Sequence, residues 1–163
     1  MTIYLAAVCW QLQLGNDGLT AEEQKSHYTL WALMNSPLLL GTDITNMAAG
    51  LKALLLNAEI AALNQDTLGY PGRVALRLGN AGCGANTSEV WEKKLADGSL
   101  AAVLFNRCAQ PANVTAVFAA LNISWSAVAV RDLWAQRELG SAAGGWSALV
   151  PPHGVVALRL SEA

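Results

Sequence analysis

The stretch SHYTLWALMNSPLLLGTDITNM, residues 26–47, followed by LNQDTLG at residues 63–69, decides the fold. His27, Tyr28, Trp31 and Met34 recur at helical spacing and form one face. Pro37 forbids the helix from continuing. Leu38-Leu39-Leu40 is a continuous apolar run closed by Gly41-Thr42-Asp43, as expected of a strand buried on both faces; a half-exposed strand would alternate. Asn46 is a candidate cap for the next helix, whose inward stripe is Leu51, Leu54, Leu55 and Ala58, with Asn57 as a break. Ile60 to Leu63 continue helically until Asn64. Helix, buried strand, helix and sharp exit turn is the order of the closing unit of an α/β barrel.

Upstream, Gly15-Asn16-Asp17-Gly18 is a turn cluster, and Thr20 with Glu23 fits a capping box. Residues 1–14 are apolar without clear periodicity. Ile3 to Cys9 is short and follows no basic residue, which predicts a buried strand or a misplaced start rather than a signal peptide. Downstream of Gly69 the texture changes, which predicts a boundary between residues 1–69 and 70–163. Short alternating or β-branched runs follow: Arg73–Leu78, Ser88–Lys94, Leu100–Asn106, Asn113–Phe118, Val128–Leu133, Gln136–Leu139, Trp146–Val150 and Gly154–Leu160. Ala96-Asp97-Gly98-Ser99 links two of them as a hairpin loop. The fold class expected is α/β plus all-β: the end of a (β/α)8 barrel, then an antiparallel β-sandwich.

A net charge of −2 over 163 residues leaves no electrostatic footprint for nucleic acid or an anionic membrane. No apolar run approaches the roughly 20 residues of a spanning helix. The cysteines, Cys9, Cys83 and Cys108, form no zinc or redox motif. Cys83 and Cys108 flank a predicted hairpin and either pair or serve as small apolar fillers. Sequons at Asn86, Asn113 and Asn122 favour a secreted or vacuolar parent with glycans on surface loops.

LGNDGLTAEEQKSHYTLWALMNSPLLLGTDITNM (residues 14–47) and NAEIAALNQDTLGYPGR (residues 57–73) closely resemble the end of the catalytic barrel of retaining α-galactosidases, the melibiases. SEVWEKKLADGSLAAVLFNR, VRDLWAQRELG and VPPHGVVALRL resemble that family's carboxyl-terminal β-sandwich. The resemblance covers about residues 12–160. It implies that Leu38 to Thr42 is the last barrel strand and Asn64 to Gly69 the hinge into the sandwich. The family has Pro where this chain has Thr67, and an Asp-Pro-Asp-Met-Leu motif where it has Val8, Cys9, Trp10, Gln11 and Leu12. The family's two catalytic aspartates belong to earlier strands, so the resemblance implies a fragment that lacks both and is inactive alone. The parent would hydrolyse terminal α-D-galactosyl bonds with retention, contact an α-galactoside, and need no cofactor or metal. The alternatives are a non-catalytic remnant or carbohydrate-contacting sandwich, and an α-N-acetylgalactosaminidase of the same family.

Retaining glycosidases need two carboxyls about 5–5.5 Å apart. Glu22, Glu23 and Glu59 read as caps or solvated helix faces, Asp97 as a turn residue, and Asp66 as a holder of backbone amides in the exit turn. Glu89, Glu92, Asp132, Glu138 and Glu162 fall in the β region. No catalytic residue is assigned. Asp43 stands at the carboxyl end of the expected barrel strand and is the one candidate substrate-binding residue; the competing reading has it tether the loop with Thr42 and Thr45. His27 reads as a hydrogen-bonded core residue and His153 as a loop residue. No GxSxG elbow, phosphate loop or metal spacing occurs. Trp91, Trp125, Trp134 and Trp146 read mainly as core packing, with sugar stacking as the alternative.

Overall fold

The computed structural model describes residues 11–80 and 83–163. The expectations for Ile3–Cys9 and for Val8, Cys9 and Trp10 therefore lie outside the described residues, as does the middle of the Gly79–Gly84 turn. The order is α1 (Ala21–Leu33), α2 (Ala49–Leu55), α3 (Ala58–Asn64), β1 (Arg73–Asn80), β2 (Gly84–Lys94), β3 (Leu100–Asn106), β4 (Ala112–Val117), a 3₁₀ turn (Phe118–Leu121), β5 (Val128–Asp132), β6 (Arg137–Ala142), β7 (Gly145–Val150) and β8 (Val155–Glu162). The eight expected strands are all present, with ends within a few residues. One antiparallel sheet runs β1-β2-β3-β8-β5-β6, and β4 pairs with β7 in a second.

Local chemistry sets the helix ends. Thr20 Oγ1 accepts from the Glu23 amide (3.3 Å) and Glu23 Oε2 from the Thr20 amide (2.9 Å), so the capping box starts α1. Asn35 ends it in the left-handed region at φ 57°. Asn57 breaks α2 from α3 as expected. Its carboxamide oxygen accepts from the Glu59 and Ile60 amides, and its Nδ2 donates to the Leu133 carbonyl (3.0 Å). Asn46 does not cap α2: the cap position is Ala48, which offers no side-chain acceptor.

The central strands bury both faces, and their two-residue period sorts them between two cores. From β3 and β8, Ala101, Val103, Phe105, Val155 and Ala157 pack with Leu12, Leu14, Tyr28, Trp31, Leu33, Ile60 and Leu63 of the helical part. The alternate residues Leu100, Ala102, Leu104, Leu158 and Leu160 pack with Val114 and Ala116 of β4 and Val150 of β7. The helices thus form a third layer over the six-stranded sheet, continuous in core with it. Further links reinforce that layer: the Ser26 hydroxyl donates to the His153 carbonyl (2.7 Å) and the Trp134 indole to Thr29 Oγ1 (3.0 Å). Gly72 lies so close to the end of α1 that a Cβ there would sit 2.5 Å from Leu33 Cγ, while its amide bonds the Leu33 carbonyl (2.8 Å).

A larger expectation also fails. Leu38–Leu40 is not a strand buried on both faces. It makes a single parallel bridge, Leu12 to Leu40, and Leu39 is 61% exposed. A parallel strand is covered only by strands beside it and helices above and below; among the described residues it has one neighbour. Ile44, Leu56, Leu68 and Tyr70 are exposed in the same half of the chain.

Cys83 and Cys108 are paired in a disulfide, with 5.9 Å between Cα atoms, which ties the β1–β2 turn to the loop after β3. Of the two readings open to the sequence, the bond is the one realised.

Candidate functional site

The loops that leave the carboxyl ends of the Leu12 and Leu40 segments meet one another, where a parallel barrel would carry its site. The Leu12 amide donates to the Leu39 carbonyl (2.7 Å) and the Gly41 amide to the Leu12 carbonyl (3.1 Å). Gly15, at φ 82°, brings the first loop against the second: a Cβ there would lie 2.4 Å from Leu51 Cδ2 and 3.1 Å from Thr42 Oγ1. Amides and one imidazole line this corner. Asn16 Nδ2 donates to Gln13 Oε1 (2.7 Å), the Gly15 amide to Gln24 Oε1 (3.3 Å), and the Gln13 amide to His27 Nε2 (3.3 Å).

Asp43 is exposed beside them. Its Oδ1 accepts from the Thr45 hydroxyl (2.6 Å) and the Thr45 amide (2.8 Å), and these bonds hold its carboxyl below the ordinary aspartate range. It is therefore a carboxylate at neutral pH, able to accept from a sugar hydroxyl but not to deliver a proton. Thr45 supplies the tether; Thr42 faces Gly15 instead.

His27 packs at a tilt against Trp31 with ring centroids 5.1 Å apart, and burial pushes its pKa down. Protonation would place a proton on the nitrogen that accepts from Gln13. Below the unfolded value of 6.5 the unfolded chain takes up the proton first, so stability falls with pH until the depressed folded pKa is reached. The denaturation midpoint is expected to drop as pH falls through 6.5 toward the depressed folded value. His27→Gln, which keeps an acceptor for Gln13, is expected to flatten that part of the profile. An unchanged slope in the variant would assign it to another group. Glu23, held low by Thr20, loses its contribution only as pH falls below 4.5, outside this window.

Most of the other acids bond within the fold. Glu59 is not a solvated residue: Arg131 of β5 bonds both its oxygens (2.9 and 2.6 Å) and also reaches Glu138 (2.8 Å), joining α3 to β5 and β6. Asp66 holds the Leu68 amide as expected (3.1 Å), and also the Ala96 amide of the β2–β3 loop (3.0 Å). Buried Glu89 is bonded by Arg77, Arg107 and the Trp91 indole, and buried Glu92 by Arg73. Asp97 takes Ser99 and Arg159; Asp132 takes the Trp134 and Ala135 amides.

A cleft of about 670 Å³ opens between α1, α2 and the β5–β6 turn, with Glu22, Lys25, Asn57, Asp132 and Trp134 on its walls. Lys25 Nζ lies 5.2 Å from the Trp134 ring centroid, so that face is already covered. Trp134 and Trp91 spend their indole donors inside the protein, and Trp146 packs against the second core, as the packing reading expects. Among the described residues no helix is long and apolar enough to cross a membrane, and no three His, Cys, Asp or Glu side chains gather as a metal site.

Comparison with known proteins gives two family matches in chain order: α-galactosidase A over residues 9–66 and the α-galactosidase C-terminal β-sandwich domain over residues 85–160. α-Galactosidase 3 of Arabidopsis thaliana is 39% identical over 144 residues, 87% of this chain and 32% of that protein. The crystal structure of α-galactosidase I from Mortierella vinacea superposes with a TM-score of 0.85 at 32% identity, over 94% of this chain and 38% of that one. A Saccharomyces cerevisiae α-galactosidase solved with raffinose shares the fold at TM-score 0.84 and 19% identity, covering 94% and 46%. The chain spans about a third of the length of the curated relatives it matches.

Proposed function

The chain belongs to the α-galactosidase (melibiase) family, of which it carries the carboxyl-terminal portion, and from that premise we propose that it closes and buttresses the catalytic barrel of a retaining glycosidase acting on terminal α-D-galactosyl bonds. The core shared between α1, α3 and the inner face of the six-stranded sheet carries this reading. It fixes the last barrel unit against a rigid sheet, as a pocket rim requires. The reaction needs two carboxyls about 5–5.5 Å apart; in this reading they come from barrel strands other than the one at Leu38–Leu40. Asp43, an ionised acceptor at the strand's carboxyl end, contacts sugar hydroxyls at the rim. The boundary near residues 69–70 divides barrel from sandwich in sequence while the shared core joins them in space. A secreted or vacuolar location is supported by the disulfide and by the exposure of Asn86, Asn113 and Asn122.

A second reading, a non-catalytic sandwich module, is favoured by the structural contacts that occupy Glu23, Glu59, Asp66, Glu89, Glu92, Asp97 and Asp132. Immunocapture with an antibody to the sandwich separates the two. The native product is sized and assayed on chromogenic α-galactoside, with the α-N-acetylgalactosaminide as comparison. A product much larger than 17.2 kDa that cleaves the galactoside with retention is expected. A product of that size with no turnover would overturn the glycosidase reading in favour of the module.

A further inference from the structure

A cleft of about 270 Å³ lies between the β2–β3 loop and the segment after the 3₁₀ turn, walled by Leu68, Leu100, Leu121, Ile123 and Trp125. Asn122 and Ser124, the two ends of a sequon, stand on its rim, and both are exposed. The turn that presents them is fixed. Asn122 is in the left-handed region at φ 56°, its amide donates to the Ala119 carbonyl (3.2 Å), and the Ile123 amide donates to the Phe118 carbonyl (3.0 Å). Trp125 also walls a neighbouring, more polar cleft of about 540 Å³ with Arg131, Glu138, Arg159 and Ser161. A slot with apolar and indole walls, with Lys94 and Ser99 also in its lining and a polar outlet beside it, suits the first ring of a glycan, whose C–H face is apolar and whose hydroxyls and next sugar need polar partners or water.

We propose that Asn122 is an N-glycosylation site whose first N-acetylhexosamine folds back onto Trp125 and becomes part of the sandwich surface. In the covalent step Asn122 Nδ2 forms the bond to C1 of a sugar carried as a lipid-linked pyrophosphate. The C1–oxygen bond breaks, the lipid pyrophosphate leaves, and the amide gives up one proton. Ser124 supplies the sequon hydroxyl. The disulfide between Cys83 and Cys108 places the chain in the oxidising compartment where this transfer occurs. Asn113 differs in its setting. It stands on β4 opposite Leu149, which is 67% exposed, so a glycan there would project from a sheet surface.

The test uses the 163-residue chain and its Ser124→Ala variant, each made in a eukaryotic secretory host and in a bacterial host with an oxidising compartment. Ser124→Ala removes the sequon without touching Trp125. Peptide mass spectrometry is expected to find the sugar on Asn122 in the secreted parent. The secreted variant is expected to melt about 3 °C lower than the secreted parent, with no difference between the bacterial pair. Trp125→Phe, which keeps an aromatic filler, is expected to leave occupancy unchanged and to speed enzymatic release of this glycan from the native protein several-fold. An unmodified Asn122 would overturn the proposal. So would equal melting of the secreted pair, or a release rate indifferent to Trp125→Phe, since each would leave the glycan unseated.

Discussion

Replacing Lys93 with alanine is expected to lower folding stability by about 3 kcal/mol. Lys93 lies on β2 and is 2% exposed, the largest fully buried side chain among the described residues. Its ammonium donates to Asn35 Oδ1 at the end of α1 and to the Leu63 carbonyl in α3. Asn35 in turn donates to the Gly69 carbonyl (2.9 Å). One side chain thus ties two helix ends and the exit turn to the sheet. Truncation leaves two acceptors without a donor and opens a void, and each adds to the loss. Lys93→Met fills the void without donating and is expected to lose about half as much. Denaturant unfolding monitored by tryptophan fluorescence reads both. A loss under about 1 kcal/mol in the alanine variant would mean that the helices dock without this tie.

The same group gives an alkaline signature. Burial pushes the Lys93 pKa below 10.5, and the charge of Asp66 opposes part of that shift. Between the depressed folded value and 10.5 the unfolded chain holds more protons, so Lys93 makes stability rise with pH in that window. Tyr28 acts in the opposite sense above 10.0, because burial raises its pKa and the unfolded phenol ionises first. Lys93→Met is expected to remove the rise and leave the Tyr28 fall.

Loss of the disulfide is expected to be comparably large. The bond spans 25 residues, for which loop-closure entropy gives about 3.5 kcal/mol at room temperature. That corresponds to a melting temperature lower by roughly 10 °C for a chain of this size. The Cys108 end is anchored independently: its amide donates to Asn106 Oδ1 (2.9 Å) and its carbonyl accepts from the His153 amide (3.1 Å). The Cys83 end sits at the tip of the β1–β2 hairpin, an edge of the large sheet. Hydrogen exchange in a Cys83→Ser, Cys108→Ser variant is therefore expected to accelerate first in β1 and in the adjoining end of β2. A Cys9→Ser background keeps the third thiol from exchanging. Uniform acceleration through the core, with β1 no faster than β3, would contradict a tether that acts on the hairpin tip.

Much of the fold was legible because its signals are local. Thr20 and Glu23 are three residues apart and cap α1 whatever else the chain does. Asp97 and Gly98 make a hairpin loop between two runs of the right period. The blocks at residues 14–47 and 57–73, and those in the sandwich, carry enough matched positions to name a family. Asp43 was legible as a candidate tether of its loop, and Thr45 completes that tether. Other readings needed partners distant in the chain. Glu59 read as a cap or a solvated residue because Arg131 is 72 residues away. Lys93 stands beside Lys94 at the end of an expected strand, and nothing local marks it as buried. Leu38–Leu40 read as a strand buried on both faces and is instead exposed, because burial of such a run depends on what packs beside it.

The sequence by itself determined most of the helices, strands and turns, because capping, side-chain period and turn chemistry act over a few residues, and its quoted blocks carried the family resemblance. Only the tertiary structure decided that the helical layer shares a core with the sheet, that Cys83 and Cys108 pair, that Lys93 is enclosed, and that a cleft opens between the β2–β3 loop and the segment carrying Asn122, Ser124 and Trp125. Each of these depends on which distant segments meet. That choice is made by burial summed over whole faces, a quantity that no local pattern carries.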